Sequence, residues 1–385
     1  MHCPHIGVCG GCSLTTPYPD QLARKQSRLS ALLGVDVPAL VASPQTTGYR
    51  RKAAFVFGSP ARGRGLLMGH YAAGSQRLVP VDDCPVHSPR ANRIAFALRD
   101  RLARANVPAA DVRGGILRHI IVRTTEDERE AVAMLVVTAN DKALRTPVKN
   151  LLSSPDAPDG FFININTRPG SLMVGGETMK IAGRSHVRER GITAADGSAL
   201  ADYLISPDAF FQTNVGAARE LVALVLDAVP AGGRVLDLYC GSGLFTLPLA
   251  RRGASVTAVE ENRTAIDDLE TNVRLNRLEA AKVRGIAGRV EDVIDRVTGS
   301  RWDAVILDPP REGCAPGVLP AVFQQLAPPK AVYVSCDPEV LARDLKVITS
   351  MGYGITRVQG VDMFPHTDHI ETVAVLERRT RSASR

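Results

Sequence analysis

Residues 234–243 read Arg234-Val235-Leu236-Asp237-Leu238-Tyr239-Cys240-Gly241-Ser242-Gly243. An apolar run of strand length ends in a turn with two glycines, and a helical stretch from Leu244 to Arg251 follows. Strand, glycine turn and helix open a parallel α/β unit. The spacing Asp237-x3-Gly241-x-Gly243 differs from the dinucleotide fingerprint G-x-G-x-x-G, because an acidic residue stands four positions before the first glycine. The glycines let a ligand approach the backbone. The Asp237 carboxylate can meet a cationic or amino-bearing group.

Outward from this turn the alternation continues. Strand-like runs at Ser255–Val259, Lys282–Ile286, Asp303–Leu307 and Ala331–Val334 are separated by helical stretches, the clearest from Arg263 to Leu275. Gly354–Asp362 and Ile370–Leu376 read as two closing strands. This alternation predicts a Rossmann-like, doubly wound α/β domain over residues 201–385. Glu260 ends the second strand, where an acidic residue accepts hydrogen bonds from ribose hydroxyls. An acid before a short glycine turn, with no full pyrophosphate cradle, favours S-adenosylmethionine over a nicotinamide dinucleotide.

Two further strand ends carry chemistry. Leu307 is followed by Asp308-Pro309-Pro310-Arg311, a rigid polar lip. In amino-methylating enzymes such a lip ends in an aromatic; Arg311 in that place argues against adenine or guanine amines as targets. The run Tyr333-Val334-Ser335-Cys336-Asp337-Pro338 delivers one cysteine into a turn. A thiol beside a methyl donor has a specific use. Pyrimidine carbon 5 is a weak nucleophile, and adding a thiolate to carbon 6 makes it enolate-like. A base must then remove the carbon-5 proton. Glu371, in His369-Ile370-Glu371-Thr372, is the best-placed carboxylate; His366 and His369 compete for that task but read as polar loop residues.

The first half has a different texture. Tyr18 to Leu33 reads as a helix closed by Gly34, and it is expected to pack on the catalytic domain. Residues 49–71 read as hairpins with basic and aromatic residues interleaved around a Gly/Arg-rich turn, a surface suited to phosphates and bases. Pro89 to Asn106 reads as a basic helix. Strands are expected at Ile116–Thr125, Glu130–Thr138, Phe161–Thr167, Leu172–Val174 and His186–Arg190, with a helix at Ala143–Leu152 and a change of architecture near Asp202. Residues 1–200 form the α+β region of this division. Net charge is +7: residues 1–200 hold 26 Lys and Arg against 16 Asp and Glu, and residues 201–385 hold 21 against 24. The positive field thus belongs to the first half, which fits a polyanion grip joined to a more neutral catalytic unit.

Seven cysteines without a secretory signal argue against a disulfide framework. Cys3, Cys9 and Cys12 stand in C-x5-C-x2-C spacing, and Gly10-Gly11 lets the thiolates converge. Cys84 completes a set of four, which suits structural zinc or a [4Fe–4S] cluster equally. No apolar run is long enough to span a membrane. A cytoplasmic monomer is the expectation.

These pieces together resemble the RNA uracil-C5 methyltransferases. The matching residues are Cys3-x5-Cys9-Gly10-Gly11-Cys12 with Cys84, then Phe210-Phe211-Gln212-Thr213-Asn214, Asp237-Leu238-Tyr239-Cys240-Gly241, Asp308-Pro309-Pro310-Arg311, Ser335-Cys336 and Met363-Phe364-Pro365-His366 through Glu371. They run in family order over essentially the whole chain. The resemblance implies a [4Fe–4S] cluster rather than zinc at the four cysteines, with an N-terminal iron–sulfur and RNA-binding domain. It implies that Gln212, Tyr239, Glu260 and Asp308 line the S-adenosylmethionine site, that Cys336 is the nucleophile and that Glu371 is the base. Starting at the cysteines without a preceding β-barrel, the chain looks like the 23S rRNA branch, so 23S rRNA is the implied partner, with tRNA as the alternative. Asp337 departs from the asparagine that many members carry there. A catalytically inactive, cluster-bearing RNA-binding protein is the competing reading, and the intact Cys336, Glu371 and Asp237-to-Gly243 set speaks against it. A cytosine-C5 enzyme would place its nucleophile beside the prolines, and Asp308-Pro309-Pro310 has no adjacent cysteine.

Overall fold

The computed structural model describes residues 3–60, 65–111, 114–168, 173–193 and 199–379. Its first sheet contains β1 (Lys52–Gly58), β2 (Leu67–Tyr71), β3 (Leu78–Pro80), β4 (Leu117–Thr124), β5 (Ala131–Val137), β6 (Gly160–Ile165) and β7 (Glu177–Gly183) in the order β3-β2-β1-β4-β5-β6-β7. All neighbours are antiparallel except β5 and β6. A two-stranded hairpin, β8 (Val187–Thr193) and β9 (Ala199–Ile205), follows. The second sheet holds β10 (Arg234–Leu238), β11 (Ser255–Glu260), β12 (Val283–Ala287), β13 (Ala304–Leu307), β14 (Lys330–Ser335), β15 (Tyr353–Val361) and β16 (Glu371–Arg378). Their order is β12-β11-β10-β13-β14-β16-β15, with the first five parallel and the last two antiparallel.

The second sheet is buried on both faces, as a parallel sheet must be. Val235, Ala304, Ile306, Val332 and Val334 join one apolar cluster, and their strand neighbours Leu236, Leu238, Val305, Leu307 and Tyr333 join the cluster on the opposite face. The strand order reverses between β10 and β13. That switch point opens a crevice beyond the carboxyl ends of the strands.

The two sheets share a core. One face of β5 packs with the helix Pro89–Arg104, and Val132, Met134 and Val136 on the other face enter the cluster that holds β10 and the helix Val215–Ala228. The helix Tyr18–Leu33 starts with Pro in its first turn and Asp20 nearby, and stops at Gly34, whose φ of 67° donates a left-handed C-cap. It docks on the catalytic half through Leu29 and Lys25, the latter donating to Asp362 Oδ1 at 2.7 Å.

Three expectations shift. Met173 and Val174 are not in a strand, Leu172 lies outside the described residues, and the strand sits at β7 instead, pairing with β6 through Glu177 and Ile165. β9 is a strand the alternation did not reveal, and residue 200 falls inside it. Its hairpin leans on the catalytic helix Arg263–Leu275 and the turn after it: Asn276 accepts from Asp202 N–H at 2.9 Å, and Asn272 accepts from Leu204 N–H at 2.7 Å. The basic stripe of the helix Pro89–Arg104 is partly neutralised, because Arg90 pairs with Asp159 and Arg99 with Asp82 and Asp100.

Candidate active site

A cleft of about 950 Å³ opens at the switch point. Gln212, Tyr239, Gly241, Glu260, Asp308, Cys336 and Glu371 all line it. Tyr239 and Gly241 share the turn after β10 and the others come from separate segments, so the second sheet brings them together.

The turn after β10 sets the floor. Tyr239 adopts φ 64°, an unusual value for a non-glycine residue and one that turns the chain sharply out of the strand. Gly241 follows at φ 55°, and a Cβ there would meet nothing closer than Phe210 O at 4.0 Å, so the backbone faces open space. Gly241 N–H donates to Glu260 Oε2 at 3.1 Å and Asn262 N–H to Oε1 at 2.8 Å, which fixes the Glu260 carboxylate at the rim. Ser242 Oγ is buried without a hydrogen-bond partner.

Asp237 departs from the reading that gave it a direct contact. It is fully buried, does not line the cleft, and accepts from Thr246 Oγ1 at 2.6 Å. Its position within β10 rather than after it turns the side chain into the sheet–helix layer. Its effect on the cleft is by charge.

That charge matters. Burial and the Glu260 carboxylate hold Asp237 up at about 7. Burial, Asp237 and Glu260 push Asp308 up to about 8. Glu371 is raised well above the usual carboxylate range by burial and Asp308, with Arg311 opposing. Asp308, Glu371 and Glu260 thus line one cleft with Asp237 behind its wall, and a cation bound there would relieve their repulsion.

Cys336 sits one residue past β14. The register Ser335↔Thr372 sets it beside Glu371 on β16. Ser335 Oγ donates to Asp337 O at 3.0 Å and accepts from Asp337 N–H at 3.2 Å, which closes the turn under the thiol. Asp337 caps the helix Pro338–Ser350, accepting from the N–H groups of Glu339 and Val340; such a cap is worth about 1 kcal/mol. The aspartate at this position thus has a local structural task. Burial, Glu371 and Asp308 raise Cys336 to about 11, and Arg311 is the cation that pulls it down. Arg311 Nη2 lies 2.9 Å from His369 Nδ1.

Other residues at the cleft were not singled out from the sequence. Phe210 lines the mouth at 62% exposure, unusual for so large an apolar ring. Cys314 also lines it, with its sulfur 3.7 Å from Tyr333 OH and burial raising it to about 12. His366 is withdrawn from the cleft: its ring lies 3.2 Å from Gln21 Nε2 and 3.0 Å from Thr46 O.

The N-terminal thiols gather on the far side of Phe364. This ring lines the cleft and packs against Cys12, Tyr49 and Val86, with the Arg50 guanidinium 5.8 Å above it. Burial and the neighbouring thiols Cys84, Cys9 and Cys3 push Cys12 up to about 12, with Arg50 opposing. Backbone bonds fix the loop: Gly10 N–H to Tyr71 O at 2.7 Å, Gly7 N–H to Cys12 O at 3.3 Å, and Ser13 and Leu14 N–H to His366 O. Among the described residues, the trio whose ligand atoms lie within 4.8 Å of one another is His70, Cys84 and His87.

A family model described as tRNA (Uracil-5-)-methyltransferase matches residues 17–379. The chain belongs to this family. Two similar proteins are uncharacterized RNA methyltransferases. One, of Geobacter sulfurreducens, is 34% identical over 98% of this chain and 77% of its own length. The other, of Gloeobacter violaceus, is 34% identical over 98% of this chain and 82% of its own. The crystal structure of the Pyrococcus abyssi tRNA (uracil-54, C5)-methyltransferase in complex with S-adenosyl-L-homocysteine superposes with a TM-score of 0.78 at 29% identity, covering 96% of this chain and 86% of that one. The tRNA (uracil-5-)-methyltransferase family member described here is thus an RNA methyltransferase of the uracil-C5 class, dependent on S-adenosylmethionine. No helix among its described residues is long and apolar enough to cross a membrane.

Proposed function

We propose that the enzyme methylates carbon 5 of a uridine in structured RNA through a covalent Cys336–carbon 6 adduct. The observation that carries this reading is the pairing of Cys336 with Glu371 across β14 and β16 at the edge of an acidic cleft. S-adenosylmethionine supplies an electrophilic methyl group on a sulfonium. Glu260, Asp308, Gln212, Tyr239 and the Gly241 backbone would hold it, and buried carboxylates suit its positive charge. Asp237 would support that charge from behind the wall.

Cys336 adds to carbon 6 of the flipped base, and carbon 5 gains nucleophilic character. After methyl transfer, Glu371 removes the carbon-5 proton, the carbon 5–carbon 6 double bond re-forms, and the thiolate leaves. Arg311 favours the thiolate in the first step and the Glu371 carboxylate in the second. Phe210 gives the RNA an exposed ring on which to stack at the mouth.

Cys3, Cys9, Cys12 and Cys84 would hold a [4Fe–4S] cluster. Three thiols around the buried Cys12 make a set of four soft donors that fits such a group, and the Cβ that Gly11 lacks would sit 3.7 Å from Cys9 Sγ. Residues 1–200 would grip the RNA, with residues 201–385 as the catalytic unit. The cluster's part is anchorage. Tyr49 OH donates to Pro365 O at 3.1 Å, and Ser13 and Leu14 bond His366 O, so the thiol loop braces the segment that leads into Glu371.

Of 23S rRNA and tRNA as substrate, the likeness to a tRNA enzyme favours tRNA. Incubating the enzyme with methyl-labelled S-adenosylmethionine and unmodified rRNA or tRNA tests both. Label in 5-methyluridine of one RNA pool is expected; label in 5-methylcytidine, or none, would overturn the proposal.

A further inference from the structure

We propose that His70, Cys84 and His87 form a second metal site, for a single zinc-like divalent ion, which competes with the four-thiol set for Cys84. The ligand atoms of the three residues lie within 4.8 Å of one another, on two neighbouring segments. His70 stands in β2 opposite Val79 of β3. Cys84 and His87 share the loop that follows β3, where His87 N–H donates to Cys84 O at 3.0 Å. That bond curls the loop so that both side chains face His70.

The two imidazoles are held by ring packing rather than by hydrogen bonds. Phe55 stacks on His70 with centroids 4.9 Å apart and meets His87 edge-on at 5.0 Å. The two imidazoles lie 5.2 Å apart at 84°. His70 Nε2 and His87 Nδ1 are both buried without a partner, and His87 is 4% exposed. A buried nitrogen left without a partner is destabilising, so two in one place call for a shared ligand. No protein donor or acceptor fills that role, and a metal ion would satisfy both at once.

The donor set selects the ion. One thiolate and two imidazoles match three-ligand zinc sites that keep a fourth position open. At zinc bond lengths of about 2.0–2.3 Å, tetrahedral neighbours stand roughly 3.5 Å apart, so no pair of the trio need contract by more than about 1.3 Å. Binding converts the Cys84 thiol to a bound thiolate and releases its proton to solvent. Cys84 cannot serve both this ion and the cluster, so occupancy here leaves Cys3, Cys9 and Cys12 one ligand short.

The test is a Co²⁺ titration of the reduced full-length chain, prepared without iron and sulfide. One equivalent should bind with tetrahedral ligand-field bands and the charge-transfer absorption of a single thiolate. Cys3→Ser, Cys9→Ser and Cys12→Ser should leave that spectrum unchanged. His70→Gln and His87→Gln should weaken binding about 100-fold or more, since even an outer partner of a metal ligand costs 10–100-fold. Iron and sulfide uptake by the histidine variants serves as the folding control, because the cluster set uses neither histidine. No Co²⁺ binding, or binding with several thiolates that is lost in Cys12→Ser and kept in His87→Gln, would overturn the proposal. Chain first reconstituted with iron and sulfide should exclude Co²⁺; full uptake there would refute the competition. If no cluster assembles, the four-thiol reading fails by itself and the cluster-free titration still decides this site.

Discussion

The cleft and the thiol pocket both bury cysteine, and their neighbours give that residue opposite tasks. Cys336 is raised to about 11 among carboxyl groups with one guanidinium opposing, whereas Cys12 is raised to about 12 among other thiols. A thiol ringed by acids suits a cationic cosubstrate and a base, while the thiols ringed by thiols are the set proposed above to hold a cluster. Phe364 forms the wall between them, in contact with both. The difference also follows the architecture. Parallel strand ends converge on one crevice, whereas beside the mostly antiparallel first sheet the thiols lie on loops and His70 is within β2.

The largest effect that can break this division is on Cys336. Cys336→Ala should reduce methylation to background, measured with labelled S-adenosylmethionine, while any iron held by the proposed cluster set stays at the wild-type level. Loss of iron would mean that the two regions are not separate. Glu371→Gln comes next, with methylation falling about 10²–10⁴-fold, the usual worth of a general base. Its further signature is a protein–RNA adduct that accumulates on ordinary RNA and resists denaturing gels; a fall in rate with no adduct would move the base elsewhere.

The junction between the regions is probed by Lys25→Met. Lys25 bonds both Asp362 Oδ1 and Phe364 O, and Asp362 is fully buried. Removing the cation strands the carboxylate and should cost about 3–5 kcal/mol of stability in denaturant unfolding. Lys25→Met with Asp362→Leu should recover much of that loss.

The smallest expected effect sharpens the electrostatics. The folded value of Asp308, about 8, lies above its ordinary value of 3.8, so the folded chain keeps a proton that the unfolded chain releases. Its stabilising contribution is therefore complete below the ordinary value and lost as pH rises through about 8. The ligand-free protein should melt a few degrees lower at pH 8 than at pH 5 on this account. Asp308→Asn should lessen that dependence, leaving the part owed to Asp237 and Glu371, and weaken S-adenosylmethionine binding about 10–100-fold, the worth of a hydrogen bond to a charged group. A steep pH dependence that persists in Asp308→Asn would place the titration on another group.

The catalytic half was legible because its signals are local: apolar runs of strand length, a glycine turn, and polar residues at strand ends. The alternation predicted a doubly wound sheet, the resemblance to the family implied that Tyr239, Glu260 and Asp308 line one site, and the strand order itself needed the fold. Asp237 was misread as a ligand contact because sequence position does not say on which side of a strand end a side chain turns. β7 and β9 were missed because Glu177 to Gly183 and Ala199 to Ile205 carry weak apolar alternation and are held by neighbouring strands and helix side chains. Phe210 was quoted only as part of a motif; its exposure needs the fold. The His70–Cys84–His87 trio has no sequence signature beyond Cys84-x2-His87, because His70 is brought in by the β2–β3 pairing.

The central claim is that Cys336 attacks carbon 6 of uracil. RNA in which 5-fluorouridine replaces uridine should trap the enzyme covalently, because fluorine blocks removal from carbon 5. Peptide mass mapping of that adduct, formed only with S-adenosylmethionine present, should locate the nucleotide on Cys336 and find none in Cys336→Ala. An adduct on Cys314, which lines the same cleft, or one that survives Cys336→Ala, would contradict the account.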